Sequence, residues 1–185
     1  MPAWIWVLIA IAVIAVIVWI VMSATRRKRT QERFGPEYDR AVSETGSRRR
    51  ATSELTGREK RRRELNIVPL ATAARERYAE QWQTVQARFV DRPSDALRDA
   101  DVLVTKVMQE RGYPVENFEQ RSSDISVDHP HVVDNYRAAH GISMADQQGK
   151  ASTEDLRQAM VHYRSLFDDL LGDAPRQEEA GRRVS

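Results

Sequence analysis

Apolar positions fall into three regimes along the chain. From Ala3 to Met22 they run unbroken, AWIWVLIAIAVIAVIVWIVM, with no charge, glycine or internal proline. From residue 26 to 66 the large ones thin to Phe34, Tyr38, Val42, Leu55 and Leu65 among many charges. From about residue 70 they return every three to four positions, the spacing of one face of a helix.

The first regime predicts a membrane-spanning helix. Its twenty residues, rising about 1.5 Å each, cover about 30 Å, the thickness of the hydrocarbon core. An uninterrupted helix also bonds every backbone group internally, which lipid requires. Trp4 and Trp6 at one end and Trp19 near the other place amphipathic rings at headgroup level. Arg26, Arg27, Lys28 and Arg29 close the segment, whereas Met1 and Pro2 before it bear no side-chain charge. This one-sided bias predicts an external N-terminus and a cytoplasmic C-terminal bulk. A cleaved signal peptide would need the basic cluster ahead of a shorter apolar core and a small-x-small cleavage site, and the pattern here is the reverse. No small-xxx-small face favours pairing of the spans.

The third regime predicts a bundle of about four helices. Tyr78, Trp82, Val85 and Phe89 form one stripe of a helix over Thr72 to Val90. Arg92-Pro93 starts the next, with Leu97, Ala100, Val104, Val107 and Met108 on one face and Gly112 with Pro114 as its stop. Residues 115–127 read either as a short helix or as an ordered connection. His129-Pro130 opens a third helix carrying Val132, Val133, Tyr136 and Ala139, weakened by Gly141. Ser152-Thr153-Glu154-Asp155 caps a fourth, with Leu156, Met160, Tyr163, Phe167 and Leu170 inward and Gly172 at its close. No strand-like alternation is present. The expected fold is therefore all-α. A transmembrane anchor spans 1–25, a basic, partly helical neck 26–66, a cytoplasmic helical domain 67–173 and a disordered polar tail 174–185.

Charge changes the picture in the middle regime. Arg26 to Glu64 holds fourteen Lys/Arg against seven Asp/Glu, whereas the remainder holds fifteen against twenty. A basic neck thus joins the membrane to an acidic domain. Gly35-Pro36 before Glu37-Tyr38-Asp39 predicts a helix start, and Gly46 and Gly57 interrupt the stretch beyond it. With so few large apolar residues, a solvated helix, a disordered linker or a mixture is expected. Two dense runs, Arg48-Arg49-Arg50 and Lys60-Arg61-Arg62-Arg63, are the candidate contacts with anionic lipid, each residue worth up to about 1 kcal/mol at the surface. The plainer alternative is a solvated run that sets orientation and spacing. No aromatic residue interleaves with these runs, which disfavours nucleic acid. Arg49-Arg50-Ala51-Thr52 fits the loose pattern of basophilic kinases, making Thr52 a candidate phosphosite.

The candidate chemistry is thin. Without cysteine there is no disulfide, thiolate metal site or cysteine nucleophile. His129 and His131 flank Pro130 beside Asp128, but metal-binding histidines on a helix usually stand at i and i+4. A turn role fits them better; of the other two histidines, His140 and His162, the latter lies inside the last helix off its main apolar stripe and needs no special explanation. Eight glycines are scattered without a phosphate-binding loop, and no G-x-S-x-G occurs. No catalytic residue, cofactor, metal or small-molecule substrate is expected. The Tyr78/Trp82/Phe89 stripe reads as core, and Tyr113 with Phe118 as a candidate exposed patch for a partner protein.

The segments FGPEYDR (34–40), RYAEQWQTVQARFVD (77–91), ADVLVTKVMQERGYP (100–114), DHPHVVDNYRAAHG (128–141) and STEDLRQAMVHYRSLFDDLL (152–171) together resemble a family of uncharacterised membrane-anchored actinobacterial proteins. That resemblance implies a bacterial inner-membrane placement and brings no activity, ligand or catalytic residue. Three functions are weighed from these features, the third, an unrecognised enzyme, being the one not expected. The first is a membrane-anchored module that docks a partner protein. The second is an arginine-rich tether to anionic lipid or nucleic acid, with the helical domain as a passive head.

Overall fold

The computed structural model describes Trp4, Ile14, Ile17, Val18, Met22, Ala24, Thr25 and residues 28–172. The expected span over 3–22 falls mostly outside these residues, as do Trp6, Trp19, Arg26, Arg27 and the tail 174–185. No helix among the described residues is long and apolar enough to cross a membrane. The described chain is all-helical: α1 (Pro36–Thr45), α2 (Arg48–Glu64), α3 (Thr72–Phe89), α4 (Pro93–Glu110), α5 (Phe118–Asp128), α6 (Val133–Gln147) and α7 (Thr153–Gly172). They form two compact units, one ending at Thr56 and the other starting at Gly57. The division thus falls inside α2, ahead of the boundary expected at residue 66.

In the first unit α1 starts as its sequence predicts. Gly35 adopts φ 47, Pro36 occupies the first turn with Glu37 and Asp39, and Gly46 closes the helix with φ 64. Phe34, Tyr38 and Ala41, spaced by four and three, are buried, as are Ala51 and Leu55 one turn apart on α2. The neck is therefore partly helical, as expected, and what differs from the expected solvated helix or linker is its buried stripe.

The second unit holds the last two turns of α2 and helices α3 to α7. The closest packing pairs α3 with α4, α4 with α7 and α6 with α7. The predicted stripes supply its core: Tyr78, Trp82 and Val85 from α3, Leu97 to Met108 from α4, and Leu156 to Leu170 from α7. Trp82 stacks on Phe167 with ring centres 4.6 Å apart, and Tyr136 meets Tyr163 edge-on. Burying one such side chain is worth about 1.5–3 kcal/mol or more. α7 opens with a reciprocal cap. Asp155 N donates to Ser152 Oγ, and Ser152 N donates to the Asp155 carboxylate at 2.8 Å.

The segment 115–127 resolves into a helix from residue 118. Asn117 caps it by accepting from Gln120 N at 2.7 Å. α6 begins at Val133 rather than at His129-Pro130, because His129 N still bonds the Ile125 carbonyl and extends α5. α6 also runs straight through Gly141, where an added Cβ would meet nothing within 4 Å. Gly112 is the glycine that packing requires. Its φ is 96, and an added Cβ would lie 2.3 Å from the Asn66 carbonyl oxygen. Val68 N donates to the Arg111 carbonyl at 2.9 Å beside it. The connection after α2 is thereby pinned to the end of α4.

Candidate functional site

The end of the basic helix meets an acidic face of α5. Arg58, Arg61 and Arg62 lie within two turns of α2, and Asp124, Ser126 and Asp128 within two turns of α5. Arg58 Nη1 donates to Ser126 Oγ at 3.1 Å, Arg61 Nε to Asp124 Oδ1 at 3.0 Å, and Arg62 Nε to Asp128 Oδ2. Asp124 is fully buried and also accepts from Gln120 Nε2 at 2.8 Å. Asp128 accepts a second bond from the Tyr113 hydroxyl at 2.6 Å. Burial first, and the Asp128 charge second, push the Tyr113 phenol well above its ordinary range.

A second layer lies close by. Arg111 Nη1 donates to the Leu170 carbonyl at 3.1 Å and approaches His129 Nε2 at 3.3 Å. A guanidinium only donates, so Nε2 accepts and the imidazole proton sits on Nδ1, bonded to Asp169 Oδ2. Both ring nitrogens thus have partners within this layer. The His129 bond holds the Asp169 carboxyl below its ordinary range. The two layers tie the ends of α2, α4, α5 and α7 together.

Magnitudes decide what the second arginine run can do. Parting a buried ion pair costs about 3–5 kcal/mol, less where one partner is half in water as Arg61 is. An anionic surface offers about 1 kcal/mol per arginine. Docking on α5 therefore holds Arg61 and Arg62 against lipid. Arg48, Arg49, Arg50, Lys60 and Arg63 remain exposed. Thr52 is half-buried within α2, its hydroxyl donating to the Arg48 carbonyl at 2.8 Å, so a kinase would have to unwind that turn to reach it. Lys28 and Arg29 are described and exposed, and Trp4 is exposed.

The expected patch of Tyr113 and Phe118 is corrected. Tyr113 is buried, and half-buried Phe118 stacks on His140 with ring centres 3.6 Å apart. An open groove between α3 and α7 is lined by Gln86, Phe89, Arg157, Met160, Val161 and Arg164. Val161 is 56% exposed. It stands between Arg157 and Arg164 at the i, i+4, i+7 spacing of one helix face. This spacing, off the main apolar stripe of α7, is the signal in the sequence for the groove.

The remaining histidines have ordinary partners or surroundings. His131 is exposed, and His162 Nδ1 lies 3.1 Å from Asn135 Oδ1. Burial lowers the His140 pKa from its ordinary value. No group of three or more histidine, aspartate or glutamate side chains among the described residues is placed to hold a metal. No family model, curated protein or solved structure matches the chain.

Proposed function

We propose that the chain is a single-pass, membrane-anchored protein-interaction module. Residues 3–22 hold it in a bacterial inner membrane with the N-terminus outside, and the cytoplasmic helical bundle docks a partner protein. The groove between α3 and α7 carries this reading, because exposed Val161 and half-buried Phe89 line it beside Met160, whose side chain belongs to the core. The unbroken apolar run and the basic cluster behind it support the anchor.

The electrostatic tether is the second reading, favoured by the exposed Arg48, Arg49 and Arg50 at the start of α2. Its basis is narrower than the residue count suggests, since Arg61 and Arg62 are engaged by α5.

Photo-crosslinking in intact membranes tests the docking reading. A photoreactive side chain replaces Val161 in the full chain, and separately Val102 or Met144, which are also exposed. A discrete protein adduct from 161, absent from the other two positions, is expected. The same adduct pattern from all three would mean that the groove is not the docking surface.

A further inference from the structure

Resting on the reading that this groove docks a partner, we infer that its occupant is an acidic amphipathic helix of another protein. The charged side chains lining the groove are both arginines. Each is paired within its own helix face: Arg157 donates to Glu154, and Arg164 Nε to Asp168 at 3.4 Å. All four of these side chains are more than half exposed. Such pairs contribute little to stability, so exchanging them for a partner's carboxylates is inexpensive.

Geometry narrows the occupant further. Arg157 and Arg164 are two helical turns apart, about 10.5 Å along α7. A helix lying alongside α7 presents carboxylates at that distance when they stand at i and i+7. Its residues at i+3 and i+4 then fall on the same face and meet exposed Val161 and half-buried Phe89. A basic helix would set like charges against both arginines. Gln86, uncharged, also lines the groove and accommodates either hydrogen-bond polarity.

The test uses the full chain in nanodiscs of zwitterionic lipid, so that no anionic headgroup competes. Fluorescence anisotropy tracks three labelled helical peptides. The first carries Glu at i and i+7 with Leu at i+3 and i+4, the second carries Lys in place of Glu, and the third carries Ser in place of Leu. The acidic peptide should bind, lose about tenfold or more with Arg157→Glu/Arg164→Glu, and lose similarly with Val161→Asp. The Ser peptide should bind the unaltered chain at least about tenfold more weakly than the acidic Leu peptide. The Lys peptide should gain on the double arginine variant, which shows that the variant is folded. Equal binding of acidic and basic peptides to the unaltered chain would overturn the acidic occupant while leaving groove docking in place. Absence of acidic-peptide binding, or binding indifferent to Val161→Asp, would overturn it too. Loss of the groove reading itself is seen separately, in the crosslinking pattern from position 161.

Discussion

Removing either member of the Arg61–Asp124 pair should have unequal consequences. Arg61→Gln takes away the guanidinium and leaves a fully buried carboxylate beside the Gln120 amide that donates to it. Uncompensated buried charge of this kind costs about 3–5 kcal/mol, but the Arg61 side is 48% exposed and water shares the pairing. About 2–3 kcal/mol is therefore expected for Arg61→Gln. Asp124→Asn keeps the volume and the Gln120 contact, and Arg61 can turn outward into solvent, so about 1 kcal/mol is expected. The double variant should then cost less than the sum, with a coupling of about 1–2 kcal/mol. The assay is urea denaturation of the full chain in mild detergent, monitored by circular dichroism, for the four members of the cycle. A cost below about 0.5 kcal/mol for Arg61→Gln, or a larger cost for Asp124→Asn, would refute the reasoning that the second arginine run belongs to the fold.

Three other perturbations test the packing. Trp82→Ala removes a buried ring stacked on Phe167 and should cost about 3–5 kcal/mol in the same titration; under about 1 kcal/mol would put Trp82 outside the core. Gly112→Ala combines an unfavourable positive φ with a Cβ 2.3 Å from the Asn66 carbonyl, and should cost about 2–4 kcal/mol. An equally stable variant would mean that the 65–68 segment is not pinned there. His140 is held neutral by burial and by the Arg121 charge, with Asp101 and Glu119 partly offsetting. Its folded pKa is below its unfolded one, so its contribution is present above about pH 6.5 and is lost as pH falls through the folded value. The melting temperature should thus drop more steeply below about pH 6.5 in the parent than in His140→Gln. Parallel pH curves would contradict this.

Helices α3, α4 and α7 are legible in the sequence because their buried residues are large and apolar at a 3.6-residue period, with proline or a serine cap at the start of α4 and α7. α5 is not, because Arg121, Ser122, Asp124 and Ser126 are buried and polar, which erases the period. Their burial depends on partners far along the chain: Asp124 meets Arg61 from 63 residues away, and Asp128 meets Arg62 from 66. The same separation hides the role of the Lys60–Arg63 run, which composition alone presents as a solvated surface. The neck's stripe is obscured differently. Ala41 and Ala51 pack as well as larger residues yet carry little apolar signal beside Phe34, Tyr38 and Leu55. Tyr113 and Phe118 read as surface residues because they flank a turn. The Asp128 bond and the His140 stack turn both inward.

Docking at the groove, as proposed, takes place on a bundle held at the cytoplasmic face of a membrane. A topology reporter fused after Ser185, read in intact cells together with an alkaline wash of the membranes, tests this placement most directly. A cytoplasmic reporter signal is expected from a protein that resists the wash, with orientation scrambled or insertion reduced when Arg26, Arg27, Lys28 and Arg29 are all replaced by Gln. An external signal from the unaltered chain, or its release into the wash, would contradict the membrane-anchored, cytoplasmic placement.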